Sequence, residues 1–294
     1  IGDDAAITKV PDGHQLVVST DTLVNGVHFF ENAEPYNVGF KSLAVNLSDM
    51  AAMGAEPLWL TLSLTLPESN PVWIKEFARG LFDLAEHYGV SLVGGDLSKG
   101  PLSVTIQIMG IVPDDQALKR CGAKPGDGIY VTGKPGMAAL AVSILKGEIP
   151  GLDHPSAACL ERLNRPLPRV ETGIALREIA SAAIDISDGL AADLGHLVQM
   201  SGVGAEIELA AIPLTDEIRQ LDEKAQWSYV LAGGDDYELC FTVGARREAA
   251  LERLGKVSGC AITRIGKIVA ESGIRWLGPD GNAVAPGGTG YRHF

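Results

Sequence analysis

The chain has 294 residues, 46% of them hydrophobic, so it can bury a substantial core and is long enough for two domains. Its formal net charge of −13 argues against nucleic acid as a partner, because a protein that binds the phosphate backbone needs clustered Lys and Arg. The sequence has no apolar run of about 20 residues that could span a membrane, and its four cysteines form no C-x-x-C pair. These features predict a cytoplasmic protein with no zinc cage, no disulfide framework and no membrane association.

The first part of the chain alternates strands and helices. Runs rich in Val and Ile predict strands over residues 15–21 and 103–112, and strict alternation of leucine predicts a strand over 58–66. Apolar residues at helical spacing predict helices over 40–51, which Gly54 ends, and over 73–88. We expect a second copy of the chain to cover part of the apolar face of 58–66, since an exposed strand face of this kind favours association.

A loop rich in Lys, Gly, Asp and Pro over residues 113–128 separates this part from a second mixed half. That half is predicted to contain strands near 129–132, 183–186 and 238–243 and helices near 137–145 and 188–200. The sequence therefore predicts an α+β fold with two domains, residues 1–113 and 124–294.

The acidic residues are unusual in their placement, because they lie at strand ends and in turns of small residues. Magnesium prefers carboxylate, water and phosphate oxygens, so acids delivered by loops suit it. A single such acid is better explained by a solvated turn or a helix cap, but six clusters together favour a metal-bridged phosphate ligand. The clusters are Gly2-Asp3-Asp4, Ser19-Thr20-Asp21-Thr22, Ser48-Asp49, Gly94-Gly95-Asp96, Asp185-Ile186-Ser187-Asp188-Gly189 and Gly233-Gly234-Asp235-Asp236-Tyr237-Glu238.

Two of these clusters allow a local argument. Ser42, Asn46 and Asp49 share one face of the first helix, which is either part of a site or an ordinary solvent-facing surface. The run 185–189 leaves a strand and enters a helix, where Ser187 or Asp188 could cap the first turn. Free N–H groups at such a turn would favour a phosphate.

Two further residues have alternative explanations. His28 could contact an anionic substrate or could be structural, and Arg120 could hold a phosphate or lie in a charged surface loop. The P-loop motif is absent, since Gly133-Lys134 is followed by Pro135, and the protein-kinase motifs are absent as well. Phosphoryl transfer would need a different scaffold.

Several segments resemble the thiamine-monophosphate kinase family, which is similar in fold to aminoimidazole-ribotide synthetase and selenophosphate synthetase. They span nearly the whole chain in the family's order: IGDDAA, STDTLVNGVHF, KSLAVNLSDMAAMGAEP, GGDLSKGPLSVTIQIMG, RCGAKPGDGIYVTG, AIDISDGLAADLGH, GGDDYELCFTV and GYRHF. The resemblance implies a homodimer whose N-terminal domains share a β-barrel, an α/β sandwich as the C-terminal domain, and ATP bound between the two domains. It also implies direct transfer of the γ-phosphoryl group from ATP to thiamine monophosphate, with no covalent nucleophile.

The resemblance also implies roles for individual residues. Several Mg²⁺ ions would be held by Asp4, Thr20, Asp21, Asp49, Asp96, Asp185 and Asp188, with Ser19 a further ligand. ATP would contact Gly95, Asp96, Arg120 and Ser187, with Tyr88 near the nucleotide. Thiamine monophosphate would contact His28 and Asp235.

The chain departs from the family at two substrate positions. Many relatives have Glu at the place of Asp235, which shortens the reach of the carboxylate here. Some carry an aromatic residue at the place of Gly288, so aromatic contact with thiamine would come from elsewhere, for which Tyr291 is the candidate. The alternatives are another ATP-using enzyme of the same superfamily, an inert protein that binds nucleotide and magnesium, and a two-carboxylate hydrolase, which does not explain six clusters.

Overall fold

The computed structural model describes residues 4–257 and 259–285, which form two compact units. The first unit holds the described residues up to Met50 together with Ala55–Ala117. The second holds Ala51–Gly54 and the described residues from Leu118 onward. Each unit has its own sheet, which agrees with the predicted α+β fold.

The first unit contains a four-stranded sheet in the order β1-β4-β2-β3. Its strands are β1 (His14–Val24), β2 (Glu56–Leu66), β3 (Ser91–Lys99) and β4 (Ser103–Pro113), and its helices are α1 (Pro35–Ala52) and α2 (Pro71–Tyr88). Strand β4 pairs antiparallel with β1 and β2, and β3 pairs parallel with β2. The strands and helices predicted for this part of the chain are confirmed.

Local chemistry explains the limits of both helices. Pro71 begins α2, and its missing N–H costs nothing there because the first N–H groups of a helix have no acceptor within the helix. The Asn70 side chain caps the helix by accepting the Trp73 N–H at 3.1 Å. Gly54 follows α1 with φ +62, a left-handed conformation that costs glycine little.

The two helices cross in backbone contact at Gly39 and Gly80. A Cβ atom added to Gly39 would lie 2.0 Å from the carbonyl oxygen of Phe77, and one added to Gly80 would lie 1.9 Å from that of Tyr36. A larger residue at either position would push the helices apart.

The leucine face of β2 is covered by the chain itself. Leu60, Leu64 and Leu66 are 0%, 5% and 7% exposed in a single copy. The expectation that a second copy covers this face is therefore wrong for these three leucines, which the unit already buries in its own core, whereas Leu58 and Leu62 are half-buried. The exposed apolar side chains lie on the other face of the sheet, where Leu16 and Val18 of β1 are about half exposed.

The second unit contains a seven-stranded mixed sheet in the order β11-β10-β7-β9-β5-β8-β6. Its central strands are β5 (Gly128–Thr132), β8 (Glu238–Val243) and β9 (Ile262–Val269), and the others are β6 (Ala182–Ile186), β7 (Gly204–Glu208), β10 (Gly273–Leu277) and β11 (Ala283–Val284). Among the described strand pairs of this second sheet, β7–β10 is parallel and the others are antiparallel.

Seven helices are described in this unit. They are α3 (Met137–Leu145), α4 (Ala157–Asn164), α5 (Val170–Leu176), α6 (Leu190–Ser201), α7 (Asp216–Arg219), α8 (Glu223–Ala232) and α9 (Glu248–Val257). Helix α6 packs against β6, β7, β8 and β10, so it covers one face of the sheet. Across residues 4–257 and 259–285, the structure has no helix with both the length and the apolar character to span a membrane.

Candidate active site

In the first unit, the structure brings together Ser19, Asp21 and Asp49. Ser19 and Asp21 are two residues apart on β1, so both side chains point to the face of the sheet that carries the core. The Ser19 hydroxyl donates a short hydrogen bond to Asp49 on α1. Asp21 and Asp49 are close enough for their carboxyl groups to hydrogen-bond.

When two carboxyl groups lie in contact, the charge of one makes ionisation of the other unfavourable. Burial, the charge of Asp49 and the hydrogen bond with Asp49 raise the pKa of Asp21 to about 7. A divalent cation would remove this penalty, so the oxygen donors of the pair fit Mg²⁺. Within the described residues no three His, Cys, Asp or Glu side chains gather to hold a metal by themselves. A magnesium ion here would therefore complete its shell with water and phosphate.

The polar stripe of α1 is buried rather than solvent-facing. Ser42 and Asn46 are 1% and 0% exposed, so the alternative of an ordinary helix surface is wrong. Lys41 is buried too, and its ammonium group donates to the carbonyl oxygen of His28 at 3.3 Å. Nδ1 of His28 in turn accepts the N–H of Val24 at 3.0 Å. His28 is therefore held both at its ring nitrogen and at its main-chain carbonyl oxygen.

The other predicted residues of the first unit lie elsewhere. Thr20 is exposed, and strand alternation points its side chain away from Ser19 and Asp21, so only its main-chain oxygen could join them. Asp4 is exposed in a bend ahead of β1. Tyr88 ends α2, while Gly95 and Asp96 lie on β3, at the opposite edge of the sheet from β1.

In the second unit, the run 185–189 joins β6 to α6. Asp185 is 5% exposed near the end of β6, and Ser187 and Asp188 form the turn. The carboxylate of Asp193, in the first turn of α6, accepts the N–H groups of Ser187 at 3.0 Å and Asp188 at 3.1 Å. These N–H groups are therefore not free to bind a phosphate, and that part of the prediction is wrong.

The predicted helix cap is wrong as well. Gly189 occupies the N-cap position of α6 with φ 110, and no side chain caps the helix there. Burial raises the pKa of Asp193 to about 7, against the lowering effects of its two N–H donors and of the charge of Arg120. The effect of Arg120 on Asp193 places the guanidinium near this turn.

A second turn lies against the first. The N–H of Asp235 donates to the carbonyl oxygen of Ser187 at 2.9 Å, and that of Tyr237 donates to Ile186 at 2.8 Å. The structure therefore brings four predicted residues together at one end of the second sheet: Asp185, Ser187, Asp188 and Asp235.

The two other acids of the Asp235 cluster have structural partners. Both carboxylate oxygens of Asp236 accept the N–H of Gly136, and burial raises the pKa of Asp236 well above its usual value. Glu238 is fully buried and accepts hydrogen bonds from Arg162, Arg169 and Thr132. Burial alone would raise the pKa of Glu238, but the Arg169 hydrogen bond and the two guanidinium charges lower it overall.

Sequence reasoning missed three residues near the predicted residues of the two units. Asp193 could have been found as the acid in the first turn of a helix that follows an acidic loop, and Lys41 as the one cation of α1. No sequence signal pointed to Tyr237, because its contact depends on the conformation of the turn. The predicted substrate residues Gly288 and Tyr291 lie outside the described residues.

Comparison with known proteins identifies relatives along nearly the whole chain. Residues 2–112 match the family model "AIR synthase related protein, N-terminal domain", and residues 124–276 match "AIR synthase related protein, C-terminal domain". Thiamine-monophosphate kinases of Salmonella typhimurium and Escherichia coli are each 47% identical over 100% of this chain and 91% of their own length.

Solved structures agree with these relatives. The thiamine-monophosphate kinase from Stenotrophomonas maltophilia has a TM-score of 0.89 and 43% identity, covering 96% of this chain and 90% of that one. AaThiL complexed with AMPPCP and TMP has a TM-score of 0.83 and 33% identity, covering 100% of this chain and 92% of that one. The hydrogenase maturation protein HypE, at 19% identity and a TM-score of 0.76, shares the fold alone. The resemblance predicted from the motifs is confirmed: this chain belongs to the thiamine-monophosphate kinase family of AIR synthase related proteins.

Proposed function

We propose that this protein transfers the γ-phosphoryl group of ATP to thiamine monophosphate, the last step in making thiamine diphosphate. The observation that carries the proposal is the half-buried Asp21–Asp49 pair, two carboxyl groups in contact whose oxygen atoms suit a divalent cation. The proposal is also supported by relatives of 47% identity that are thiamine-monophosphate kinases and by AaThiL, which binds AMPPCP and TMP.

The metal ligands belong to this proposal. Asp21, Asp49 and Ser19 would hold magnesium in the first unit, with Thr20 through its main chain. Asp185 and Asp188 would do so in the second, and Asp4 and Asp96 complete the set. Magnesium, when bound, neutralises the phosphate oxygens that otherwise repel the anionic acceptor.

The nucleotide and acceptor would be held by the remaining site residues. Arg120 would pair with phosphate oxygens, Gly95 and Tyr88 would lie at the nucleotide, and Ser187 would contribute its hydroxyl, since its N–H is bonded to Asp193. His28 and Asp235 would orient thiamine monophosphate. Its cationic ring and aminopyrimidine suit a carboxylate.

The reaction needs no covalent enzyme intermediate. A phosphate oxygen of thiamine monophosphate attacks the γ-phosphorus of ATP, the bond from that phosphorus to the β–γ bridging oxygen breaks, and ADP leaves. The residues named above contribute by positioning and by charge, which is where catalysis of phosphoryl transfer mostly arises.

We further propose that the protein is a cytoplasmic homodimer. Cys121, Cys159, Cys240 and Cys260 all lie within the described residues and form no disulfide there, which fits a reducing compartment. Two features support the dimer: the half-exposed Leu16 and Val18 on the open face of the first sheet, and the placement of Asp96 at the far edge of that sheet from the Asp21–Asp49 pair. A second copy could bring an Asp96 to the pair.

The experiment is a kinase assay that follows ADP release and thiamine diphosphate formation with thiamine monophosphate and other acceptors. Asp235→Ala should raise the acceptor KM by roughly ten-fold or more, as expected for loss of a charged hydrogen bond, and should leave the KM for ATP unchanged. Asp153→Ala, at an exposed carboxylate of the same unit, is the matched control.

Turnover that does not depend on thiamine monophosphate would refute the proposed function and favour another acceptor or simple nucleotide binding. Equal losses for both substrates in Asp235→Ala, with a lower melting temperature, would instead show that Asp235 only stabilises its turn.

A further inference from the structure

The turn that carries Asp235 has an unusual backbone. Asp235 has φ +67 and Tyr237 has φ +51, both in the left-handed region that L-residues rarely occupy. Aspartate tolerates this region, but a bulky tyrosine does so only where the surrounding structure enforces it. The conformation of Tyr237 therefore indicates that the surrounding structure enforces the shape of this turn.

Hydrogen bonds to two neighbouring segments hold the turn in this shape. The N–H groups of Asp235 and Tyr237 donate to the end of β6, at the carbonyl oxygens of Ser187 and Ile186. Between them, the buried carboxylate of Asp236 accepts the N–H of Gly136 with both oxygens, at 2.8 and 2.9 Å. The backbone is therefore fixed on both sides of Asp235.

The side chain of Asp235 is fixed as well. The hydroxyl of Tyr237 donates a hydrogen bond to Oδ1 of Asp235 at 2.8 Å. Tyr237 is only 9% exposed, so packing restrains its ring, whereas Asp235 is half-buried. The rigid tyrosine thus holds one oxygen of the carboxylate, and the carboxylate cannot rotate without breaking the bond.

We propose that Tyr237 is a positioning residue that determines acceptor selection by fixing the carboxylate of Asp235 for a cationic, hydrogen-bond-donating acceptor. The inference rests on the proposed function, in which Asp235 contacts thiamine monophosphate. A carboxylate that is already oriented loses less rotational freedom when the acceptor binds, so the tyrosine strengthens binding without touching the acceptor.

The test is Tyr237→Phe, which removes the hydroxyl and keeps the ring. The KM for the acceptor should rise by roughly three- to ten-fold, the range expected for one hydrogen bond, while the KM for ATP stays unchanged. In a double-mutant cycle, Tyr237→Phe should have no further effect once Asp235→Ala is present, because the tyrosine acts through that carboxylate.

Tyr130→Phe is the matched control. The Tyr130 hydroxyl also donates to a carboxylate, that of Glu248 at 3.1 Å, and Tyr130 is 7% exposed in the same unit but far along the chain from the turn. Tyr130→Phe should lower the melting temperature about as much as Tyr237→Phe does, but it should leave the acceptor KM unchanged.

The outcomes separate the inference from the proposed function. The role of Tyr237 is overturned if Tyr237→Phe and Tyr130→Phe have the same acceptor KM. It is also overturned if Tyr237→Phe raises the acceptor KM further in the presence of Asp235→Ala. Either result would stand even if the wild type is a fully active kinase. An unchanged acceptor KM in Asp235→Ala overturns both the role of Tyr237 and the acceptor assignment of Asp235. Absence of thiamine-monophosphate turnover in the wild type refutes the proposed function itself.

Discussion

The two edges of the first sheet carry acids that one chain cannot bring to one magnesium ion. With the order β1-β4-β2-β3, Asp21 and Asp96 are three strand spacings apart, or roughly 14 Å. The pairing registers also place Asp96 beside Ser63, which in turn pairs with Thr105 on the open face, whereas Asp21 lies beside Ile106 on the core face. Ligand oxygens must lie about 2 Å from a shared magnesium ion.

If both acids hold the same magnesium ion, Asp96 must therefore come from a second copy. This predicts complementation between Asp49→Asn and Asp96→Asn, each nearly inactive as a homodimer. In a mixed dimer with two-fold symmetry, one site carries both substitutions and the other carries neither, so about half of the wild-type turnover should return.

The assay uses two affinity tags and tandem purification of the mixed dimer, followed by turnover with ATP and thiamine monophosphate. The control is a mixed dimer of Asp21→Asn and Asp49→Asn. These two acids are in contact within one chain, so each site of that dimer keeps one defective member and should stay inactive.

An Asp49→Asn and Asp96→Asn mixed dimer that stays as inactive as either homodimer would refute the argument. So would equal recovery in the control, because recovery would then not depend on which edge of the sheet carries the acid.

Three other predictions test charges within each unit. The folded-state pKa of Asp21, about 7, lies above its usual 3.8, so its contribution to stability is present below pH 3.8 and is lost as the pH rises through 7 without metal. Magnesium binds the ionised form, so it should raise the melting temperature more at about pH 8 than at about pH 6, and equal gains would contradict this. Because Nδ1 of His28 accepts the N–H of Val24, the neutral ring carries its proton on Nε2, and His28→Gln should keep acceptor affinity better than His28→Asn. Comparable acceptor KM values would argue against that donor. Glu238→Gln should lower the free energy of unfolding by about 3 kcal/mol or more in urea titrations, because two arginines lose a buried partner. Glu161→Gln, at an exposed ion pair, should cost under about 1 kcal/mol, and a similar loss in both would refute the contrast.

The regular elements could be predicted because local patterns determine them. The alternating leucines of β2 and the apolar stripe of α1 each carry a period that only one secondary structure satisfies. The pattern could not show what covers a face. The leucine face is buried by the chain itself, and the stripe that contains Ser42 and Asn46 is buried where a surface was equally plausible.

The site was harder to predict than the fold, because hydrogen-bond partners are set by tertiary structure. The sequence placed Ser187 and Asp188 at a helix start, and free N–H groups followed from that placement. It could not show that Asp193 folds back from the next turn to occupy those N–H groups. In the same way, the run from Asp235 to Glu238 does not show which acids face inward.

The interactions around each acid distinguish carboxylates with a structural role from those that a bound cation would stabilise. Glu238 has arginines that lower its pKa, and Asp193 has N–H donors and Arg120 acting in the same direction. Every cause that acts on Asp21 instead raises its pKa. Asp21 and Asp49 are two acids in contact, so a divalent cation from solution is a group that would suit the pair. The same comparison assigns structural partners to Asp236 and Glu238 and leaves Asp235, whose carboxylate accepts a hydrogen bond from a tyrosine hydroxyl, as the member of that run proposed to contact the acceptor.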